Sequence, residues 1–231
     1  MLVNLPIVAL PLDFISCRAA SVATALIATK SLADYAAKMS VPTITAIILA
    51  GGRGRRMGNA DKGLVNYQGK PLIRHAIEKI EPQVQNIVIS YNRNEAEYKK
   101  LPHLSAIDLL PGYYGPLMGI LSCKPLIKSE FFFVMPCDMP WLPSNIVSVL
   151  LEGVDNTQLT VAHDGLRIQP LLFAGGTQLI ESIDEYLKEG GRSVKKWISS
   201  IDHVVVNFSS QQSAFWNLNE VSQLDEKPLP E

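Results

Sequence analysis

A continuous apolar, β-branched run from Thr43 to Leu49 stops abruptly at Ala50-Gly51-Gly52 and gives way to a basic loop. A strand that is apolar at every position has no face to give to water. It belongs in a sheet covered on both sides, which is the signature of a parallel α/β layer and not of a one-sided antiparallel sheet. The following segments repeat the theme. Pro71 to Ile80 sets Leu72, Ile73, Ala76, Ile77 and Ile80 on one helical stripe, with Pro71 suited to the first turn. Short buried-type strands are expected at Ile87 to Ile89, Ala106 to Ile107 and Phe131 to Met135, separated by helical or turn segments. Beyond Pro143 the pattern predicts a helix to Leu151 and strands at Leu159 to Ala162 and Leu171 to Phe173 around an Asp164-Gly165 turn. Helices at Gln178 to Leu187 and Ser193 to Ile198 and a last strand at Val204 to Val206 follow. Neither an internal repeat nor a low-complexity linker interrupts the alternation.

Composition narrows the function. With 47% hydrophobic and 19% charged residues among 231, the chain can build a core, and disordered and fibrous classes are excluded. A net charge of −1 provides no polyanion-binding surface, so nucleic acid is not an expected partner. Three scattered cysteines, Cys17, Cys123 and Cys137, and four dispersed histidines give neither a disulfide framework nor zinc spacing. A reducing cytoplasm suits such a chain.

Residues 1–38 stand apart. They are rich in small and apolar residues but are broken by Asp13, Arg18, Lys30, Asp34 and Lys38, so no run is long enough to span a membrane. The start lacks the basic flank of a secretory signal and carries Pro6 and Pro11. The segment is expected to be upstream coding sequence read from an early start, with Met39 opening the domain, or else a transit peptide. Residues 39–231 are read as a single domain.

Chemistry concentrates in the loop Leu49-Ala50-Gly51-Gly52-Arg53-Gly54-Arg55-Arg56-Met57-Gly58, at the carboxyl end of the first strand, where open α/β sheets bind ligands. Glycines let backbone N–H groups reach phosphate oxygens. Arg53, Arg55, Arg56 and Lys62 set four positive charges against the one carboxylate of Asp61. An ordinary tight turn with a solvated basic face is the alternative. Two familiar phosphate loops are ruled out: the dinucleotide fingerprint would need glycine where Met57 stands, and Gly69-Lys70 is followed by Pro71 instead of Ser or Thr. No G-x-S-x-G elbow occurs, so nothing points to a serine hydrolase.

The loop, followed by Asp61-Lys62-Gly63-Leu64 and Gly69-Lys70-Pro71-Leu72, resembles the molybdenum cofactor guanylyltransferases. Asn92-Arg93-Asn94, Gly115-Pro116-Leu117, Pro136-Cys137-Asp138-Met139-Pro140, Asp164-Gly165, Gly191-Arg192 and Asn217 continue the resemblance in order, over residues 43 to about 224. It implies a Rossmann-like, three-layer α/β fold of the nucleotide-diphospho-sugar-transferase type with a mainly parallel central sheet. The implied reaction is Mg²⁺-dependent transfer of GMP from GTP to the phosphate of molybdopterin, with release of pyrophosphate. Molybdoenzyme maturation proteins are implied partners, and a monomer or weak oligomer is expected.

The resemblance also carries roles, residue by residue. Leu49, Ala50, Gly51, Gly52 and Lys62 fall on the nucleotide. Arg56 can fork two phosphate oxygens, whereas Arg53 and Arg55 are peripheral. Asp138 is the expected Mg²⁺ ligand, the alternative being a helix cap. Asp108 falls on the guanine side, as a base or ribose contact or a loop cap, and Ser90 stands where the family commonly has Asn. On the acceptor side Arg167, Asn217 and Asn219 are expected to hold the pterin, Asn219 being also an ordinary N-cap. Here Gln169 stands where the family commonly has His. A cytidylyl- or sugar-phosphate nucleotidyltransferase of the same fold, or a non-catalytic cofactor-binding adaptor, is the other reading.

Overall fold

The computed structural model describes residues 42–52, 60–109 and 114–218. The expectations for residues 1–38, for Arg53, Arg55 and Arg56, and for Asn219 lie outside the described residues. Among the described residues, nine strands and six α-helices are seen in chain order. The strands are β1 (Ile44–Leu49), β2 (Asn66–Tyr67), β3 (Lys70–Pro71), β4 (Asn86–Tyr91), β5 (Leu104–Ile107), β6 (Phe131–Pro136), β7 (Leu159–His163), β8 (Ile168–Gly176) and β9 (His203–Asn207). The helices are α1 (Leu72–Ile80), α2 (Glu95–Tyr98), α3 (Pro116–Cys123), α4 (Ile146–Leu151), α5 (Ile180–Lys188) and α6 (Val194–Ser200).

Seven strands form one sheet in the order β5-β4-β1-β6-β8-β7-β9. Pairings β1/β4, β1/β6, β4/β5 and β7/β9 are parallel, while β8 runs antiparallel to both β6 and β7. The sheet is therefore mainly parallel, with β8 reversed. All six residues of β1 and all six of β6 are buried, as two-sided coverage demands. Alternation along the strands divides the core. Ala46, Ile48, Ile89 and Phe133 pack with Ile73, Ala76, Ile77 and Ile80 of α1 and Ile146 and Leu150 of α4. Ile47, Leu49, Val88 and Phe132 pack with Leu117 and Ile120 of α3, Ile183 of α5 and Trp197 of α6. Three layers result. Each fully buried Ile or Leu in them is worth roughly 1.5–3 kcal/mol of transfer free energy.

Local differences from the sequence reading have local causes. Pro71 precedes α1 and pairs with Asn66 in the β2/β3 hairpin, whose two-residue turn, Gln68-Gly69, has φ of 48° and 87°. Two successive positive φ values are the requirement of a tight primed turn, which Gly meets easily and Gln only at some strain. The strand expected at Leu171 to Phe173 is longer and takes in Pro170, near where β7 departs from regular register between Val161 and His163. No helix among the described residues is long and apolar enough to cross a membrane.

Candidate active site

The carboxyl ends of β1, β4, β5 and β6 all open on one edge of the sheet, and β8, because it is reversed, delivers its amino end to the same edge. They rim a cavity of about 350 Å³, within the size range of small-molecule sites. Its lining includes Leu49, Gly51 and Gly52 after β1, Ser90 and Asn92 at the end of β4, Asp108 after β5, Asp138 after β6, and Lys62. Two backbone hydrogen bonds prolong the strand ladders past β1: Ala50 N–H donates to Ser90 O at 2.8 Å and Cys137 N–H donates to Leu49 O at 3.1 Å. Ala50, and with it the start of the loop at Gly51, is thereby held level with the Asp138 turn on one side and the β4 loop on the other.

Asp138 is only 5% exposed and forms an ion pair through Oδ2 with Lys62 Nζ. Its other oxygen, Oδ1, is buried with no hydrogen-bond partner. A buried carboxylate oxygen without a donor is costly, and it suits a cation brought in with the substrate. Among the described residues no cluster of three or more acidic, His or Cys side chains surrounds it. Asp138 alone could therefore offer a divalent cation one protein oxygen. The neighbouring Cys137 thiol is pushed well up by burial, and further by the Asp138 charge, so it stays protonated and packs without reacting.

Lys62 is positioned by its neighbours. Asp61, just before it, accepts from Tyr98 Oη at 2.7 Å through Oδ1 and from Asn94 Nδ2 at 2.9 Å through Oδ2. Arg93 lies 3.9 Å from the same carboxylate and donates to Ala60 O at 2.5 Å. Burial, and then Asp61 itself, hold the Tyr98 phenol far above its ordinary pKa, so it remains a donor. Asn94 takes φ of 56°, a left-handed conformation that Asn tolerates, to turn the chain into α2. Gly63 closes the turn: a Cβ there would stand 2.4 Å from Tyr98 Oη and 3.1 Å from Ala50 Cβ.

On the β4/β5 side, Asp108 is half-buried, and desolvation lifts its carboxyl to about 6 against an opposing hydrogen bond from Asn92. Gly119 of α3 lets this corner close, since a Cβ there would sit 2.5 Å from Ser90 Oγ and 3.5 Å from Asp108 Oδ1.

Of the expected site residues, Leu49, Gly51, Gly52, Lys62, Ser90, Asp108 and Asp138 meet around one cavity. Ala50 does not line it; its side chain is 4% exposed in the core and its N–H is engaged by Ser90. Only its carbonyl is left for a ligand. Arg167, expected on the acceptor side, stands at the β7/β8 turn with its side chain 79% exposed, outside the lining of this cavity. Gln169 is turned inward, donating to Asp164 Oδ2 at 2.6 Å. Asp164 also accepts from the N–H groups of Leu166 and Arg167, both at 2.8 Å. Burial raises its pKa, but the hydrogen bonds outweigh burial and leave it below the usual value. Asn217 is brought close to the Asp138 turn, because Leu218 N–H donates to Asp138 O at 3.0 Å. Asn92 carries no assigned role in the sequence reading, although a polar residue just past a buried strand at the ligand edge is a usable signal.

Comparisons with known proteins place the chain in a family and a fold. A family model described as MobA-like NTP transferase domain matches residues 46–205. A protein of Shewanella sediminis named molybdenum cofactor guanylyltransferase is 40% identical over 182 residues, covering 78% of this chain and 93% of its own. Its namesake in Shewanella loihica is 39% identical over 184 residues, covering 79% and 94%. Among solved structures, the molybdopterin-guanine dinucleotide biosynthesis protein A of Archaeoglobus fulgidus superposes with a TM-score of 0.64 at 22% identity, covering 78% of this chain and 94% of that one. The 2-C-methyl-D-erythritol 4-phosphate cytidylyltransferase of Thermus thermophilus does so with 0.58 at 12% identity, covering 77% and 94%. At those identities the likeness shows the fold, which is that of the nucleotidyltransferases. With the sequence relatives matched over nearly their whole length, the chain belongs to the MobA-like NTP transferase family, among the molybdenum cofactor guanylyltransferases.

Proposed function

We propose that this nucleotidyltransferase moves GMP from GTP to the terminal phosphate of molybdopterin, forming a guanine dinucleotide and releasing pyrophosphate. The observation that carries the reading is the Asp138–Lys62 pair beside the Gly51-Gly52 loop, with Asp138 Oδ1 unpartnered. The names of the sequence relatives supply the substrates. In this reading Gly51, Gly52 and Lys62 hold the triphosphate and Asp138 holds Mg²⁺. The ion, when bound, neutralises charge that develops on the α-phosphate and the leaving group. Leu49, Ala50, Ser90 and Asp108 border the nucleoside. Arg56 steadies the phosphates, and Arg167, Asn217 and Asn219 meet the pterin.

The acceptor phosphate oxygen bonds to the α-phosphorus as the bond to the β-phosphate oxygen breaks. That oxygen is already an anion at neutral pH, so no side chain has to remove a proton. Catalysis is positioning and charge neutralisation. The acting unit is residues 39–231 in the cytoplasm. The test is pyrophosphate release by purified protein with molybdopterin, Mg²⁺ and each of the four nucleoside triphosphates. GTP-dependent release is expected; release with CTP instead, or with none of the four, overturns the proposal.

A further inference from the structure

Among the described residues, the cavity lining holds two buried side-chain oxygens with no hydrogen-bond partner: Asp138 Oδ1 and Asn92 Oδ1. The second is not explained by the phosphate chemistry. Ionised phosphates have no hydrogens to give, so an orphan amide oxygen waits for an N–H or O–H donor. The orientation of the Asn92 carboxamide follows from its neighbour. Its nitrogen hydrogen-bonds the Asp108 carboxylate, which can only accept, so the oxygen is the free end. The amide also lies against Gly51: a Cβ built there would be 3.2 Å from Asn92 Cγ, Nδ2 and Oδ1 alike. Equal distances to three atoms mean that the amide plane faces the position a Gly51 Cβ would take, where any larger residue would press on it.

Asn92 Oδ1 and the Asp108 carboxylate are thus neighbouring acceptors at the β4/β5 side of the cavity, while Lys62 and Asp138 mark the phosphate side at the end of β6. Ser90 adds little here, because it is only 1% exposed and its hydroxyl is tight against Gly119. Of the four common nucleobases, only guanine presents two adjacent donors, N1–H and the 2-amino group. Adenine and cytosine set a donor beside an acceptor, and uracil flanks one donor with acceptors.

We propose that Asn92 is a base-specificity residue whose carboxamide oxygen accepts from the guanine 2-amino group while Asp108 takes N1–H. The inference rests on the nucleotide-transfer reading above and adds to it which residue rejects other bases. Sites that offer a buried hydrogen-bonding group discriminate strongly against analogues lacking its partner.

Inosine triphosphate, which keeps N1–H and lacks the 2-amino group, isolates this contact. Full-length protein and Asn92→Ala are compared for kcat/KM with GTP and ITP, and for direct binding of each nucleotide, with thermal melts as a check on folding. Asn92→Ser, whose hydroxyl falls short of the amide oxygen, serves if the alanine variant does not fold. The wild type is expected to prefer GTP over ITP by more than tenfold. The variant should lose that preference to within about threefold, with ITP nearly unaffected. If Asn92 acts only by orienting Asp108, or meets the ribose, GTP and ITP fall together and the preference survives, which overturns the inference. An unchanged GTP constant overturns it as well. A wild type that uses CTP overturns the function and this inference together. A GTP-using wild type whose Asn92 variant keeps its preference overturns this inference alone.

Discussion

Gly63 and Tyr98 offer a direct test of how Lys62 is held. Tyr98 is fully buried and its hydroxyl donates at 2.7 Å to Asp61, the residue before Lys62. Tyr98→Phe removes one hydrogen bond to a buried carboxylate, a loss on the order of 2 kcal/mol. For a chain of this size that lowers Tm by about 4–8 °C. Gly63→Ala drives a methyl to 2.4 Å from the same hydroxyl, which forces the turn to shift and costs roughly 1–3 kcal/mol as overpacking. In the double variant the oxygen is gone. The next neighbours are Ala50 Cβ at 3.1 Å and the ring carbon Cζ at 3.4 Å, so most of the alanine penalty disappears. The two changes should therefore be sub-additive, with a coupling energy of about 1–2 kcal/mol in denaturant melts. GMP transfer should follow, the Gly63→Ala enzyme recovering activity when Tyr98→Phe is added. Additive losses would show that the hydroxyl does not abut Gly63 and that this account of the turn is wrong.

Asp138→Asn, nearly isosteric, should leave the melt intact and lower turnover by two or more orders of magnitude; a change within about threefold would remove Asp138 from the metal role. Lys62→Ala should weaken GTP binding and slow transfer together. Arg56→Lys, by losing a two-pronged contact, should harm kcat/KM more than Arg53→Lys, and the reverse order would exchange their roles. Because burial raises Asp108 to about 6, its charge destabilises the fold as pH rises from the unfolded carboxylate range through 6, and fully above it. Asp108→Asn should thus gain Tm over wild type at pH 7.5 but not at pH 4, and a pH-independent difference would refute the burial argument. A chain beginning at Met39 should fold and transfer GMP like the full chain, since the strands, helices and cavity described all lie beyond it; a Tm loss above roughly 5 °C would show that residues 1–38 pack on the core.

Much of the architecture was legible because its signals are local. β1 and β6 announce themselves as unbroken apolar runs, and the α1 stripe as a 3.6-residue period. Each needs only its own few residues to be read, and each lies within a residue or two of its expected place. That Gly51-Gly52 and Asp138 follow buried strands was legible for the same reason, and Lys62 was singled out by its charge in a polar segment; the cavity brings the three together only in the folded chain.

Pairings between distant residues were not legible. Nothing in Asp61-Lys62 says that Tyr98 will cap the carboxylate, nothing in Asn92 says that Asp108 will claim its nitrogen, and nothing in Leu218 says that its N–H will meet the Asp138 carbonyl. The docking of β8 against β6 was likewise invisible, yet it brings Leu171 to the cavity. It also leaves Arg167 in solvent at the β7/β8 turn, while Gln169 is drawn onto Asp164. Hydrophobic period and turn chemistry are properties of a short stretch of chain and survive in any context. Which buried acceptor meets which donor depends on how strands are ordered and how far helices press onto the sheet, and that is settled only when the layers close.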